Sequence, residues 1–259
     1  MIKKFLPAVY FIIGIALLLG LFDIASWITA SNKIPIPSAS KVLGTLYDLW
    51  KDPFYDNGPN DKGIGHQLLK SLITVFKGFL LATMVALPVG YLIGSSKTMM
   101  RILNPAIQVL RPVSPLAWFP LGLALFEASD KAAVFAVFIT CIWPTLVNTA
   151  LGVASVPNDH KNVGKAFGFS KWKTITKIYL PFSLPYIFTG LKLSIGVAWL
   201  VIVAAEMLSG GAGIGFFVWD SWNASSLEKV VAAILIIGVI GLLLDRAFSA
   251  LQHKYSYAS

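Results

Sequence analysis

Lys192 and Glu206 stand inside the apolar run "LPYIFTGLKLSIGVAWLVIVAAEML", where a charge is costly and marks a substrate or ion route. Fourteen residues apart, they share a helical face but lie ~21 Å from each other, too far to pair along one helix. Lys192 sits near mid-depth. Facing inward it offers a passing anion a positive charge; otherwise it snorkels to the interface or pairs with Asp245 of the last apolar run. Glu206 lies nearer the far end and repels anions, so it suits a gate or a helix-packing ion pair, with Lys77 as a candidate partner. Trp118, Phe119, Trp199 and Met207 are bulky enough to form an apolar constriction, although helix packing or an interfacial position is the commoner use of each type.

Other chemistry is excluded by spacing. His66, His160 and His253 are scattered, and no His, Cys or carboxylate grouping has metal-ligand or catalytic spacing. There is no G-x-x-x-x-G-K-[ST], so any ATP is hydrolysed by another subunit. The glycine cluster "SGGAGIGFF" at 209–217 does not fit G-x-G-x-x-G and reads as a flexible turn rather than a phosphate cradle. The chain is expected to be no enzyme and to carry no cofactor.

The elements that must position these residues are membrane helices. Of the 259 residues, 56% are hydrophobic and 13% charged, with mean hydropathy +0.74; a soluble domain carries roughly a quarter charged residues. Several runs approach the ~20 apolar residues that cross ~30 Å of hydrocarbon. The single cysteine, Cys141, lies in one such run and reads as a core residue. The fold class is therefore all-α and polytopic. Six spans are expected, near 5–28, 72–95, 112–127, 132–156, 183–208 and 230–250. The first, with its basic start, resembles a signal peptide but is long enough to stay as a span. The third, "PVSPLAWFPLGLALFE", is short and broken by prolines, so five complete crossings with one re-entrant or partly unwound segment is the alternative. Nothing in composition separates a second domain, and 1–259 reads as one transmembrane unit.

Basic residues orient the spans. With the N-terminus inside, the internal loops and tails hold Lys3, Lys4, Lys97, Arg101, Arg111, Lys161, Lys165, Lys171, Lys173, Lys177, Arg246 and Lys254, opposed by Asp159 and Asp245. The external segments hold six lysines against eight carboxylates. This bias places both termini in the cytoplasm and explains the net charge of +9 without a nucleic-acid partner. Outside, in a segment near 33–65, Ser38 is an N-cap candidate for a helix with Val42, Leu43, Leu46, Leu49 and Trp50 on one stripe, lying on membrane lipid. An exposed Asp-, Asn- and Gly-rich loop follows it.

One hydrophilic stretch stands out: "NVGKAFGFSKWKTITKIYLP", 162–181 in a cytoplasmic segment near 158–181, with four lysines and no carboxylate. Ser170 caps a predicted helix from Lys171 to about Tyr179, with Pro181 as its stop and Gly168 permitting a turn before it. Trp172, Ile175 and Tyr179 share one face, and aromatic residues on a short solvated helix suit a partner's groove. The stretch resembles the cytoplasmic loop of ABC importer permeases, E-A-A, three residues, Gly, nine residues, I-x-L-P. Gly168, Trp172, Ile178, Leu180 and Pro181 stand at the expected offsets, whereas Asn162, Val163 and Gly164 occupy the E-A-A positions.

Together with "KDPFYDNGPNDKGIGHQLL", "GLALFEASDKAAVF" and "GGAGIGFFVWDSWN", the chain resembles over nearly its whole length the permeases of the nitrate, bicarbonate, cyanate and taurine-sulfonate importers, above all those for nitrate in cyanobacteria. The resemblance implies a type I importer permease fold in a bacterial inner membrane and transport of a small oxyanion by alternating access. It implies as partners two ATP-binding subunits, a second permease copy and an extracytoplasmic solute-binding protein. It places Asn162, Lys165, Ala166, Gly168, Phe169, Ser170, Trp172, Ile178 and Pro181 in the loop that docks on the ATPase. A stand-alone secondary transporter is the rival reading. It requires inverted repeats and intramembrane charge networks, which the sequence does not display.

Overall fold

In hydrocarbon every backbone N–H and C=O must find its partner within the chain, so apolar runs of this length fold as helices. The computed structural model describes residues 13, 14, 17, 19–32, 35–58 and 61–255. The start of the first expected span, with Lys3 and Lys4, lies outside the described residues, as does Lys33. The elements are α1 (Leu19–Ile28), α2 (Ala39–Lys51), α3 (Ile64–Ser95), α4 (Lys97–Leu110), α5 (Pro115–Phe126), α6 (Ser129–Ala154), α7 (Asn158–Ala166), α8 (Lys171–Thr174), α9 (Leu180–Ser209), α10 (Ile214–Asn223) and α11 (Leu227–Tyr255). Among the described residues, four helices are long and apolar enough to cross a membrane: α3, α6, the α8–α9 rod and α11. The pair α4–α5, bent by 96°, makes a fifth, broken crossing.

The core lies between α3, α6 and α9. Val75, Ala82, Ala136, Val137, Cys141, Ile195, Ala198 and Ile202 are fully or almost fully buried there. Lipid supplies no hydrophobic drive between helices, so close backbone approach and hydrogen bonds hold them together. A Cβ at Gly90 of α3 would stand 2.8 Å from the Leu146 carbonyl oxygen and 2.8 Å from Thr149 Cβ of α6. Between α6 and α9, the Ser194 hydroxyl donates to the Cys141 carbonyl at 2.7 Å and lies 2.8 Å from the Thr145 hydroxyl.

Three departures from the sequence reading have physical causes. Residues 97–110, taken as a loop from their charges, form α4. The Ser96 side chain accepts from the Met99 N–H, and Met100, Leu103 and Ile107 pack on Ala86, Ile93, Leu146 and Ala150. Pro181 does not stop its helix: Ile175–Tyr179 form a wide π turn, and Lys171–Ser209 runs as one rod of 39 residues. Proline lacks an N–H and crowds the carbonyl four residues back; here it follows a turn where the ladder is already changing register. Finally, α10 follows the glycine turn, which is thus a junction between two helices rather than a free loop.

Only part of the stripe on α2 is left exposed. Val42 is buried against Val231 and Ala232 of α11, with Leu46 and Leu49 half-buried beside it, while Leu43 and Trp50 remain exposed. The α2 N-terminus is held by Asp23 of α1, whose carboxylate accepts from the Ala39 N–H at 2.8 Å, and not by the Ser38 side chain. In the following loop, Lys62 and the Gly58 N–H bond the Asp56 carboxylate and hold it below the usual carboxylate range.

The helix approach predicts a contrast between two glycines. Gly90→Ala forces the α3–α6 contact apart and should cost about 1–3 kcal/mol. Gly238→Ala, on α11 with nothing within 4 Å, should be neutral or stabilising by up to about 1 kcal/mol. Thermal unfolding in detergent distinguishes them, and equal effects would refute the packing assignment.

Candidate functional site

The intramembrane residues fall into separate settings. Lys192 of α9 meets Asp245 of α11, Nζ to Oδ1 3.4 Å, with both side chains partly accessible. Trp199 is buried between the same two helices, where its indole N–H donates to the Ile237 carbonyl at 3.0 Å. Phe119 is buried in the core and Met207 half-buried. Trp118 lines a cavity of about 290 Å³ at the α4–α5 break, which it shares with Arg111 and Trp143.

Glu206 is 2% exposed and pairs with no lysine among the described residues. One carboxylate oxygen, Oε2, accepts from the Ser71 hydroxyl of α3 at 2.7 Å and from the Gly215 N–H of α10 at 3.0 Å. Ser71 in turn accepts from the Ile214 N–H at 2.9 Å, and Gln67 Oε1 accepts from the Gly213 N–H at 2.6 Å. The carboxylate therefore sits at the N-terminus of α10, where peptide dipoles and unpaired N–H groups favour an anion. The glycine turn does cradle a carboxyl group, and that group is the chain's own side chain. Gly213 makes this possible: its φ is 135°, and a Cβ there would fall on the Glu206 carboxylate. Lys77, the expected partner, instead lines an apolar groove with Lys131, Phe135 and Phe138. Sequence reasoning missed Gln67 and Ser71, whose signal was two buried-face polar residues four apart at the start of α3.

At the opposite end of the bundle the 158–181 stretch folds as an elbow. α7 ends at Phe167; Gly168 at φ 61° reverses the chain; Ser170 caps α8 by accepting from the Lys173 N–H at 3.3 Å. The elbow is closed by a Phe169 N–H to Gly164 carbonyl bond of 2.9 Å. A Cβ at Gly164 would stand 2.6 Å from Ile178 Cδ1, so the two helices approach closely there. The turn leaves apolar side chains in the open: Val163 is 52% exposed, Phe167 75% and Trp172 72%. Asn162, Lys165, Ala166 and Pro181 are also exposed, Phe169 and Ile178 are half-buried, and Lys173 Nζ lies 4.4 Å above the Phe169 ring. Tyr179 fixes the elbow to α3 through an edge-on contact with Tyr91, ring centres 5.5 Å apart.

The Glu206 network predicts two losses of stability. Glu206→Ala strands the Gly215 N–H, leaves the Ser71 hydroxyl only the Gln67 carbonyl at 3.1 Å as acceptor, and should cost about 1–3 kcal/mol. Gly213→Ala, which adds backbone strain and a side-chain clash, should cost at least as much. Glu206→Gln should retain part of the stability, since one amide oxygen still accepts. Unfolding midpoints in detergent measure all three, and an unchanged midpoint for Glu206→Ala would refute the role of the cradle.

Comparison with known proteins places this geometry. Residues 78–257 match the model of the family "Binding-protein-dependent transport system inner membrane component". The nitrate import permease protein NrtB of Synechocystis sp. is 45% identical over 240 residues, covering 93% of this chain and 86% of that protein. The bicarbonate transport system permease protein CmpB of the same organism is 43% identical over 248 residues, covering 95% and 88%. In fold, the chain is similar to an inward-facing structure of the MetNI methionine ABC transporter, with TM-score 0.66 at 12% identity over 74% of this chain and 95% of that one. The fold is thus that of a multi-pass permease component, and the chain belongs to the binding-protein-dependent transport system inner membrane component family.

Proposed function

We propose that the chain is the single-domain permease subunit of an ATP-driven importer of a small oxyanion, nitrate in the first place. Bicarbonate, cyanate and taurine or other sulfonates are the alternatives. The similarity to permeases named for nitrate and for bicarbonate, over more than nine-tenths of the chain, supports this substrate class. The excess of Lys and Arg near the elbow supports a cytoplasmic location for it and for both termini. The α2 and α10 end then faces a solute-binding protein outside the membrane, and two copies of the chain enclose the path.

The observation that carries the coupling mechanism is the elbow, with its exposed Trp172, Phe167 and Val163. A tryptophan three-quarters open to solvent, braced by a capped turn, is suited to a groove in a soluble partner. We assign that partner as the ATP-binding subunit. The elbow runs without interruption into a helix of 39 residues, ~58 Å long, that carries Lys192, Trp199 and Glu206. Closure of the ATPase dimer displaces the elbow, the rod moves with it, and access to the path alternates between the two sides.

Two experiments test this. Proteoliposomes holding the permease, its ATPase and its binding protein should take up nitrate only with ATP; ATP-dependent uptake of another oxyanion alone would reassign the substrate. Trp172→Ala should leave insertion intact and lower ATPase co-purification at least ten-fold. Gly168→Val should do the same because φ 61° is strained for a β-branched residue, whereas Gly168→Asn should retain coupling. Unimpaired coupled uptake by Trp172→Ala and Gly168→Val would overturn the docking assignment.

A further inference from the structure

The α4–α5 break places an arginine where the charge pattern alone did not put one. Thr140, Trp143 and Pro144 of α6 and Val197 of α9 line the same cavity as Arg111. Thr140 is eleven residues from the start of α6 and Trp143 eleven from its end, ~16 Å from each. Arg111 therefore stands beside the middle of the bundle and not in a solvated end loop. An unpaired arginine turned to hydrocarbon at this depth is costly, and irregular backbone there must be sheltered by protein or water. This face accordingly lines a route.

The cavity offers donors and no counter-charge. Among the described residues, the ion pairs are Lys51–Asp48, Lys62–Asp56, Lys70–Asp130 and Lys192–Asp245, so Arg111 has no carboxylate partner. No carboxylate lines the cavity, and within the described residues neither Trp118 nor Trp143 donates its indole N–H to a protein acceptor, in contrast to Trp199. Thr140 adds no donor, because its hydroxyl is turned to the Ala136 carbonyl at 2.7 Å. A planar guanidinium matches two oxygens of a trigonal oxyanion, and weak screening strengthens the attraction. At about 290 Å³ the space far exceeds the ~30 Å³ share of one water molecule.

We propose that Arg111, with the indole N–H groups of Trp118 and Trp143, forms a mid-membrane site at which the small oxyanion is held in transit. The proposal rests on the oxyanion-importer reading above and adds the residues that hold the substrate.

The test uses the assembled permease–ATPase complex, with thiol-free ATPase subunits, in lipid nanodiscs. Cys141 is fully buried, so Val113→Cys at the cavity wall supplies one reactive thiol. Nitrate should slow its modification by an anionic thiosulfonate several-fold, and Arg111→Gln should abolish that protection. Arg111→Lys should restore part of it, and Trp118→Phe with Trp143→Phe should weaken it while keeping ring bulk. ATPase co-purification verifies that each variant is assembled; if Arg111→Gln does not assemble, the tryptophan pair carries the decision. If the unmodified complex transports nitrate but nitrate gives no protection, or protection survives these substitutions, the site is overturned and the importer reading stands. If the complex neither transports nitrate nor is protected by it, both fall.

Discussion

Hydrocarbon offers no hydrogen bonds, and an unsatisfied backbone group in it costs several kcal/mol. That constraint governs every place where this chain leaves the α-helical ladder. Near the α7–α8 elbow, the π turn at Ile175–Tyr179 shifts the ladder without leaving a long gap, and the helix passes through Pro181 intact. At 111–114 the ladder breaks within the bundle, beside the middle of α6, and protein or water must cover the exposed groups. Beyond α9, three positive-φ glycines turn the chain so sharply that the first N–H groups of α10 close on side chains of α3 and α9.

The last of these turns solves a charge problem as well. A buried carboxylate needs a counter-ion or several donors. One oxygen of Glu206 has donors: a serine hydroxyl and a backbone N–H bond Oε2 directly, at a helix start whose dipole has the right sign, while Oε1 is buried without a partner among the described residues. Neutral groups fix this charge in one orientation, and the same bonds fasten α10 to α3 and α9. α9 thus has a rigid joint at each end, the cradle at one and the elbow at the other. Under the proposed coupling mechanism, motion applied at the elbow would pass to the whole rod, because neither joint leaves a long non-helical segment of backbone.

Much of this was legible in the sequence because hydropathy and capping act locally. The long apolar runs became α3, α6, α9 and α11; Ser170 and Gly168 became the cap and turn of the elbow. The missed features depend on neighbours distant in sequence. Nothing local to Ser71 says that it will meet Glu206, 135 positions on. The charges of Lys97 and Arg101 hid α4, although Met100, Leu103 and Ile107 already carried helical spacing. The charge count placed Arg111 with the internal loops; its position beside the middle of α6 follows only from how the α4–α5 break packs against α6 and α9.

Two of the basic residues within the bundle, Lys192 and Arg111, contrast in a way that bears on the proposed selectivity. Lys192 has Asp245 at 3.4 Å, so its field at a distance is largely cancelled. Arg111 has no such neighbour among the described residues, and its field extends into the cavity. An uncompensated arginine is costly in the empty state, and a passing anion relieves that cost. Conduction requires binding strong enough to admit an ion and weak enough to release it. One guanidinium with two neutral indole donors fits this balance better than a cluster of cations, which would trap the ion. A carboxylate paired to Arg111 would remove the attraction altogether. At the proposed site, the lack of such a partner among the described residues leaves the Arg111 charge available to an anion in transit.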